Sequence, residues 1–369
     1  MWAYWLLFLV PVGIAFSPIR GDKNVNYMLW AIVGLLGILL IGLRYQVGGD
    51  WDPYLVYLDI AGRIDLSFNA LLSMAYGNAT GYTLLNWVAI QLGLGIHFVN
   101  TVCATVFMVG LIKYCKIQPM PWVALAVAIP YMVCAVAMGY TRQATALGFF
   151  LWGLSILRQG NELKYFALIL VGCFFHLSVI ITLPLMVFTR KTILWFYYPL
   201  FGLFLVGLFY LFSTLETGSG NLIENFTIIL EYTATRDSAG GAIRTYLNAL
   251  PVFFSLFFWK RIKMISLDYK IIKWMAIGSI IAIPALSFSA TLIDRLGLYL
   301  MPLQVALWPR LIAVQRTVLL RSIWASMILV FYGLVLFVFF NFALHASWWL
   351  PYQMWPFHSE PIYPYPIPM

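Results

Sequence analysis

The sequence predicts an all-α, polytopic transmembrane helix bundle of about ten spans plus a re-entrant hairpin, one integral membrane domain over residues 1–369. Three observations carry that expectation. Of the 369 residues, 63% are hydrophobic and 9% charged, with a mean hydropathy of +0.90. A soluble domain is roughly 45–50% apolar and about 25% charged, and no soluble fold hides so much apolar surface. The apolar stretches follow one another with short polar breaks, so no appended soluble module is expected. The basic residues gather in a subset of those breaks, as they do in the loops of membrane proteins.

A spanning helix needs about 20 residues, within a range of about 17–25. The candidates are 2–16, 27–43, 97–113, 122–138, 142–157, 193–213, 243–259, 271–288, 295–313 and 322–344. The first has neither a basic leading segment nor a small-residue cleavage site, so it reads as a retained helix and not a signal peptide. The run 164–189 is long enough for one tilted span, yet it carries His176 in its middle and Pro184 later. Placing Lys164 and Arg190 on one side requires a hairpin that enters, turns near His176 and returns. Irregular backbone at that depth has to line a cavity or be buried in protein.

The breaks 17–26, 113–121, 158–164, 190–192, 260–273 and 310–321 hold 16 of the 22 Lys and Arg. They hold only Asp22, Glu162 and Asp268 of the 13 acids. The Lys/Arg bias sets orientation, so these breaks are expected to face the cytoplasm. The net charge of +9 is thereby explained without a nucleic-acid partner. Two long loops fall on the outer side. The first, 44–96, is expected to lie as short interfacial helices such as 68–76 and 82–91. The second, 214–242, with Glu216, Glu224, Glu231, Arg236, Asp237 and Gly240-Gly241, reads as a segment that covers a substrate. The Pro, Tyr and Trp of the tail 348–369 suit an irregular segment at the interface. No internal repeat is visible, which argues against an inverted-repeat transporter. Cys103, Cys115, Cys134 and Cys173 are spread too widely for a metal cluster and are assigned no chemistry.

Ionisable groups in a membrane are costly and point to function. All six basic residues on the outer side are arginines: Arg44, Arg63, Arg142, Arg236, Arg244 and Arg295. A guanidinium presents a fixed planar fork that matches phosphate and carboxylate oxygens. Arg44, Arg142 and Arg295 stand at the outer ends of predicted helices and together would form a cationic pocket for a lipid-linked phosphate or diphosphate. The alternative is that they reach to lipid phosphates or pair with Asp50 and Asp294. In the run from Arg44 to Tyr54, two glycines allow a sharp turn presenting Asp50, Trp51 and Tyr54, a carboxylate beside aromatics that suits sugar hydroxyls and ring faces. Asp50 there is a candidate general base. Asp50 and Asp52 have Asp-x-Asp metal spacing, but three arginines neutralise a diphosphate without a metal, and Asp52 equally suits a helix cap. His176 is either substrate-facing or satisfied by a nearby carbonyl or hydroxyl, and Gln143 adds a neutral donor and acceptor beside Arg142.

Three segments resemble the EpsG family of Wzy-type bacterial polysaccharide polymerases. They are Arg44, Gly48, Asp50, Trp51 and Tyr54 after the second helix; Arg142-Gln143 followed by a helix, a basic turn and Phe175-His176-x-Ser178; and Arg295-x-x-x-Tyr299. Their order extends across most of the chain. Trp51 stands where the family more often has Tyr, and Gly49 where Thr is common. The resemblance implies a glycosyltransferase of GT-C-like fold in the bacterial inner membrane, with its active site facing the periplasm. It would move a growing O-antigen, capsule or exopolysaccharide chain from undecaprenyl diphosphate onto a newly flipped, lipid-linked repeat unit. Arg44, Arg142 and Arg295 would bind the diphosphate, with Arg142 also catalytic; Asp50 or His176 would take the acceptor proton; Trp51, Tyr54, Gln143 and Tyr299 would hold sugars. No metal or cofactor is expected. The expected partners are the undecaprenyl-diphosphate-linked oligosaccharide, membrane lipid and a chain-length regulator protein. The rival classes are a lipid-linked oligosaccharide flippase and an O-antigen ligase or other GT-C transferase.

Overall fold

Three of the helices start where the sequence supplies a capping side chain. The Asp22 carboxylate accepts the backbone N–H of Asn24 and Val25 at 2.8 and 3.1 Å, opening the first long helix. The Asn161 and Thr317 side chains cap two later helices in the same way. The computed structural model describes residues 1–63, 80–188, 240–288 and 290–358, with isolated positions between 199 and 227. The expected span 193–213, the stretch 68–76, nearly all of 214–242 and Arg190 lie outside the described residues.

Within them the chain is all-α apart from one short strand pair. The helices are α1 (Trp2–Phe16), α2 (Lys23–Gly42), α3 (Trp51–Gly62), α4 (Thr80–Gln91), α5 (Gly95–Lys116) and α6 (Pro121–Ala128). The last of these widens into a π-helix, Ile129–Ala137. Then follow α7 (Thr141–Leu157), α8 (Glu162–Cys173), a 3₁₀ segment (Leu177–Thr182), α9 (Leu185–Phe188), α10 (Gly241–Leu256) and α11 (Trp259–Ile265). The remainder is α12 (Tyr269–Ala285), α13 (Ala290–Gly297), α14 (Pro302–Ala313) and α15 (Val318–Phe342). By length and composition α2, α5 and α15 are long and apolar enough to cross a membrane, and counting each bent pair, α10–α11 and α13–α14, as one span gives five. The chain is therefore a membrane protein of helical class. The other expected spans within the described residues are occupied by shorter apolar helices, among them α1 and the joined α6 and π segment.

Helices α5 and α7 pack parallel to each other, and α2 packs antiparallel to α5. A Cβ on Gly110 of α5 would lie 2.0 Å from the Gly148 carbonyl of α7, so the two backbones touch there. This packing gathers Arg44, Asn100 and Thr141 at one end of the bundle, where Arg44 bonds to both of the others. It sets Lys116 and Arg158 at the opposite, basic end, where the Arg158 guanidinium donates to Ile117 O at 3.0 Å. The run 164–189 turns at His176 and folds back: the Tyr165 hydroxyl donates to Thr182 O at 2.6 Å across the two arms. A second, smaller apolar cluster made by Tyr45, α3, α4 and the start of α5 covers the end that carries Arg44.

Two basic-end expectations change. Arg310 and Asp268, assigned to polar breaks, are instead buried at 1% and 5% exposure. Because α14 continues through Arg310, its guanidinium turns into the bundle and bonds both Asp268 oxygens at 2.7 and 2.9 Å. It also donates to Ser266 Oγ at 2.9 Å and to the Gln118 side-chain carbonyl. The cation thus joins α14 to the turns after α5 and α11. Breaking a buried pair leaves one charge uncompensated. Arg310→Met is expected to cost about 3–5 kcal/mol, and Arg310→Met with Asp268→Leu to recover most of it. Thermal unfolding of the purified protein in detergent checks both.

Candidate functional site

The segment after α2 is built around a buried cation. Arg44 is 1% exposed, and its guanidinium donates to Ile41 O at 2.5 Å, Val47 O at 3.2 Å, Asn100 Oδ1 at 3.3 Å and Thr141 Oγ1 at 2.7 Å. All four acceptors are neutral. Its fork is thus spent on the protein, while its positive charge stays uncancelled by these partners and acts on the Asp50 carboxyl above it. Beyond Arg44 the chain turns through Gln46 at φ 50° and Gly48 at φ 104°, backbone that favours glycine. A Cβ on Gly48 would lie 2.1 Å from Met138 O, so this turn rests directly on the segment leading into α7.

Asp50 follows, half-buried, at the N-cap position of α3. Its side chain makes no capping bond. Burial raises the Asp50 carboxyl pKa, and the charges of Arg142, Arg295 and Arg44 pull it back down. Both cations that act most strongly on it come from distant elements. Arg142 lies in the first turn of α7, half-buried; its Nη2 donates to the Tyr57 hydroxyl at 3.4 Å and its guanidinium sits 4.7 Å from the Tyr57 ring centroid. Among the described residues its buried Nε has no hydrogen-bond partner. Arg295 is an exposed residue of α13, beside Asp294, which is ion-paired to Arg244 of α10. That pair ties α13 to α10 and so fixes the element that carries Arg295.

His176 completes the group. Its backbone is extended between α8 and the 3₁₀ segment, and the charges of Arg142 and Arg295 both reach its ring. The backbone N–H of Ser178 donates to His176 Nδ1 at 3.3 Å. Since that group can only donate, Nδ1 is an acceptor and the neutral ring carries its proton on Nε2. Ser178 Oγ then donates to Nδ1 at 2.6 Å, and the Tyr299 hydroxyl donates to Ser178 Oγ at 2.7 Å.

The expected site residues therefore separate into two sets. Asp50, Arg142, Arg295 and His176 come from α3, α7, α13 and the hairpin turn into one electrostatic neighbourhood. Gln143 lies half-buried beside Arg142. Trp51, Tyr54 and Tyr299, expected to hold sugar rings, are only 7%, 3% and 4% exposed. Trp51 packs 5.8 Å from Tyr45 and 6.0 Å from His97, the Tyr54 hydroxyl accepts the Arg142 backbone N–H at 3.4 Å, and Tyr299 packs edge-on to Phe150. Their rings build the walls behind the polar groups. Asp52 is exposed on the first turn of α3, while Asp50 is half-buried. Sequence reasoning missed Tyr57, one helical turn beyond Tyr54, and the Asn100–Thr141 cradle of Arg44. The spacing of Tyr54 and Tyr57 along one face of α3 was the available signal; nothing marked Asn100 or Thr141.

This is a helical membrane protein in which a buried arginine underlies a carboxylate, two more arginines and a histidine. The chain belongs to the EpsG family, whose model matches residues 27–354, nearly its whole length. Family membership brings a role in polysaccharide synthesis and an association with glycosyltransferase-like polymerases. No curated protein and no solved structure is significantly similar to it.

Arg44→Lys keeps the charge and loses the fork that bonds four groups on three segments. It is expected to cost about 1.5–3 kcal/mol, read as a lowered unfolding temperature of the purified protein in detergent.

Proposed function

We propose that this chain is a polysaccharide polymerase of GT-C-like architecture with about ten spans. It transfers a glycan from undecaprenyl diphosphate onto a lipid-linked repeat unit, at the periplasmic face of a bacterial inner membrane. The observation that supports it best is the convergence of Asp50 with Arg142 and Arg295 above the buried charge of Arg44. In the reaction the acceptor hydroxyl oxygen bonds to the anomeric carbon of the donor as the bond from that carbon to the diphosphate oxygen breaks. The electron pair leaves on the diphosphate. Arg142 and Arg295 contact the charge that develops there, and Arg44 adds to the field from beneath without touching it, so that no metal is invoked. Asp50 accepts the proton of the acceptor hydroxyl. His176, with its proton on Nε2, serves as a donor to substrate oxygen, held in that tautomer by Ser178 and Tyr299. Gln143 hydrogen-bonds a sugar hydroxyl; Trp51, Tyr54 and Tyr299 keep the polar groups in place. A chain-length regulator is the proposed protein partner.

The orientation follows the basic bias: the site lies at the end of the bundle opposite Lys116 and Arg158. In a strain lacking the gene, surface polysaccharide is expected as cores capped with a single repeat, and wild type restores the length ladder. Arg142→Lys is expected to fail, because an ammonium keeps the charge without the two-pronged fork. A restored ladder with Arg142→Lys would sink the diphosphate contact, and loss of even the single repeat in the deletion strain would identify a flippase or ligase instead.

The pH dependence has a fixed sign. Burial raises the Asp50 pKa, so its basic form appears at higher pH than for an ordinary carboxylate, and the acid limb of the transfer rate moves up. The Arg295 charge lowers that pKa, so Arg295→Gln is expected to shift the limb further up. Rates on lipid-linked repeat units extracted from the deletion strain, followed across pH, check both.

A further inference from the structure

Asp50 and Arg142 belong to segments far apart in sequence: Arg142 bonds the Tyr54 and Tyr57 hydroxyls of α3, and the turn 46–49 before Asp50 meets the stretch 134–139 before α7 where Gly48 rests on Met138. A third segment, 343–358, touches both of those stretches. We propose that this C-terminal strap positions Asp50 against Arg142, with Trp348 and Trp349 as the positioning residues; the proposal rests on the reading of function above.

The strap is tied down along its length. β2 (Gln353–Met354) pairs antiparallel with β1 (Arg44–Tyr45), and the Trp355 N–H donates to Leu43 O at 2.8 Å. The Tyr352 hydroxyl donates to Leu40 O at 2.8 Å, and Trp349 O accepts the Tyr4 hydroxyl at 2.6 Å. Its two central residues then reach in opposite directions. Trp348 O accepts the Gly48 N–H at 2.8 Å, and the Trp348 ring lies so close to Gly49 that a Cβ there would sit 2.6 Å from it. Trp349 donates from Nε1 to Cys134 O of the π-helix at 2.8 Å, and its ring would lie 2.8 Å from a Cβ on Gly139.

One dipeptide thus presses on the glycine immediately before Asp50 and on the glycine three residues before Arg142. Gly48 and Gly139 meet each other between them, where a Cβ on Gly48 would lie 3.2 Å from Gly139 Cα. The turn bearing Asp50 leads into α3, with Gly48 O accepting the Trp51 N–H at 3.2 Å and Asp50 O the Tyr54 N–H at 3.1 Å, and its place depends further on what it lies between. The Trp348 ring is 50% exposed and stacks on His345 at a centroid distance of 4.3 Å. Removing it opens no cavity in the core, and the chain is expected to fold without it.

The test uses the full-length protein in lipid nanodiscs. Trp348→Ala is expected to speed amide exchange across 43–50 by about tenfold or more, with α5 and α7 unchanged, as a local opening does. On lipid-linked repeat units extracted from the deletion strain, kcat is expected to fall about tenfold while KM stays within about twofold. The acid limb is expected to move upward, because the Arg142 charge no longer sits at its place beside Asp50. Trp348→Phe, which keeps a ring over Gly49, is expected to restore all three. Unchanged exchange across 43–50, or lost activity with an unmoved acid limb, overturns the proposal. If wild type makes no polymer, the functional reading fails by itself, and a localised change in exchange still sustains the strap as the element that holds the Asp50 turn.

Discussion

The site end of this protein depends on a cation that has been taken out of water. Arg44 closes α2 with four hydrogen bonds to neutral oxygens drawn from its own turn, from α5 and from α7. Burying a guanidinium costs several kcal/mol unless its donors are satisfied, and satisfying them requires Asn100 and Thr141 to lie within reach of one fork. The close backbone contact of Gly110 with Gly148 allows that approach by drawing α5 and α7 together. Packing and electrostatics are therefore coupled: the small residues that let the helices touch also bring the acceptors to Arg44.

That arrangement has a chemical consequence. Neutral acceptors satisfy the donors of Arg44 and leave its charge, so the turn above it is a favourable place for an anion. Asp50 occupies part of it, and Arg142 and Arg295 stand close enough to act on the same carboxyl. Three nearby cations favour the ionised form of a carboxylate but weaken it as a base, burial acts the other way, and at Asp50 burial is the larger influence. The same cations that lower the carboxyl pKa suit a departing diphosphate, so one cluster serves both halves of a transfer.

The other end of the bundle solves the same problem differently. Arg310 is buried as deeply as Arg44, but it meets a carboxylate, Asp268, in a two-pronged pair with Ser266 and Gln118 around it. There the charge is cancelled, and the pair acts as a joint between helices. Two buried arginines of equal burial thus differ in what they offer a ligand, and only the partners decide which.

Much of the bundle was legible in the sequence because apolar length and basic bias are one-dimensional properties: 2–16, 27–43, 97–113 and 142–157 each coincide with a helix, and His176 marks the turn of its hairpin. Asp50, Arg142, Arg295 and His176 could each be singled out as candidates in the sequence, because ionisable residues are conspicuous in so apolar a chain. The tertiary structure alone decided which polar residues face inward to the protein. Arg44 and Arg142 look alike in sequence, yet the first spends its fork on three segments while the buried Nε of the second has no partner among the described residues. Trp51, Tyr54 and Tyr299 read as surfaces for sugar rings, but packing among α3, α4 and α7 makes them walls. The role of Trp348 and Trp349 depends on contacts across roughly 200 to 300 residues of sequence. Local pattern fixes where a helix runs and which charges it carries; which of those charges a neighbour satisfies is set by distances that only folding creates.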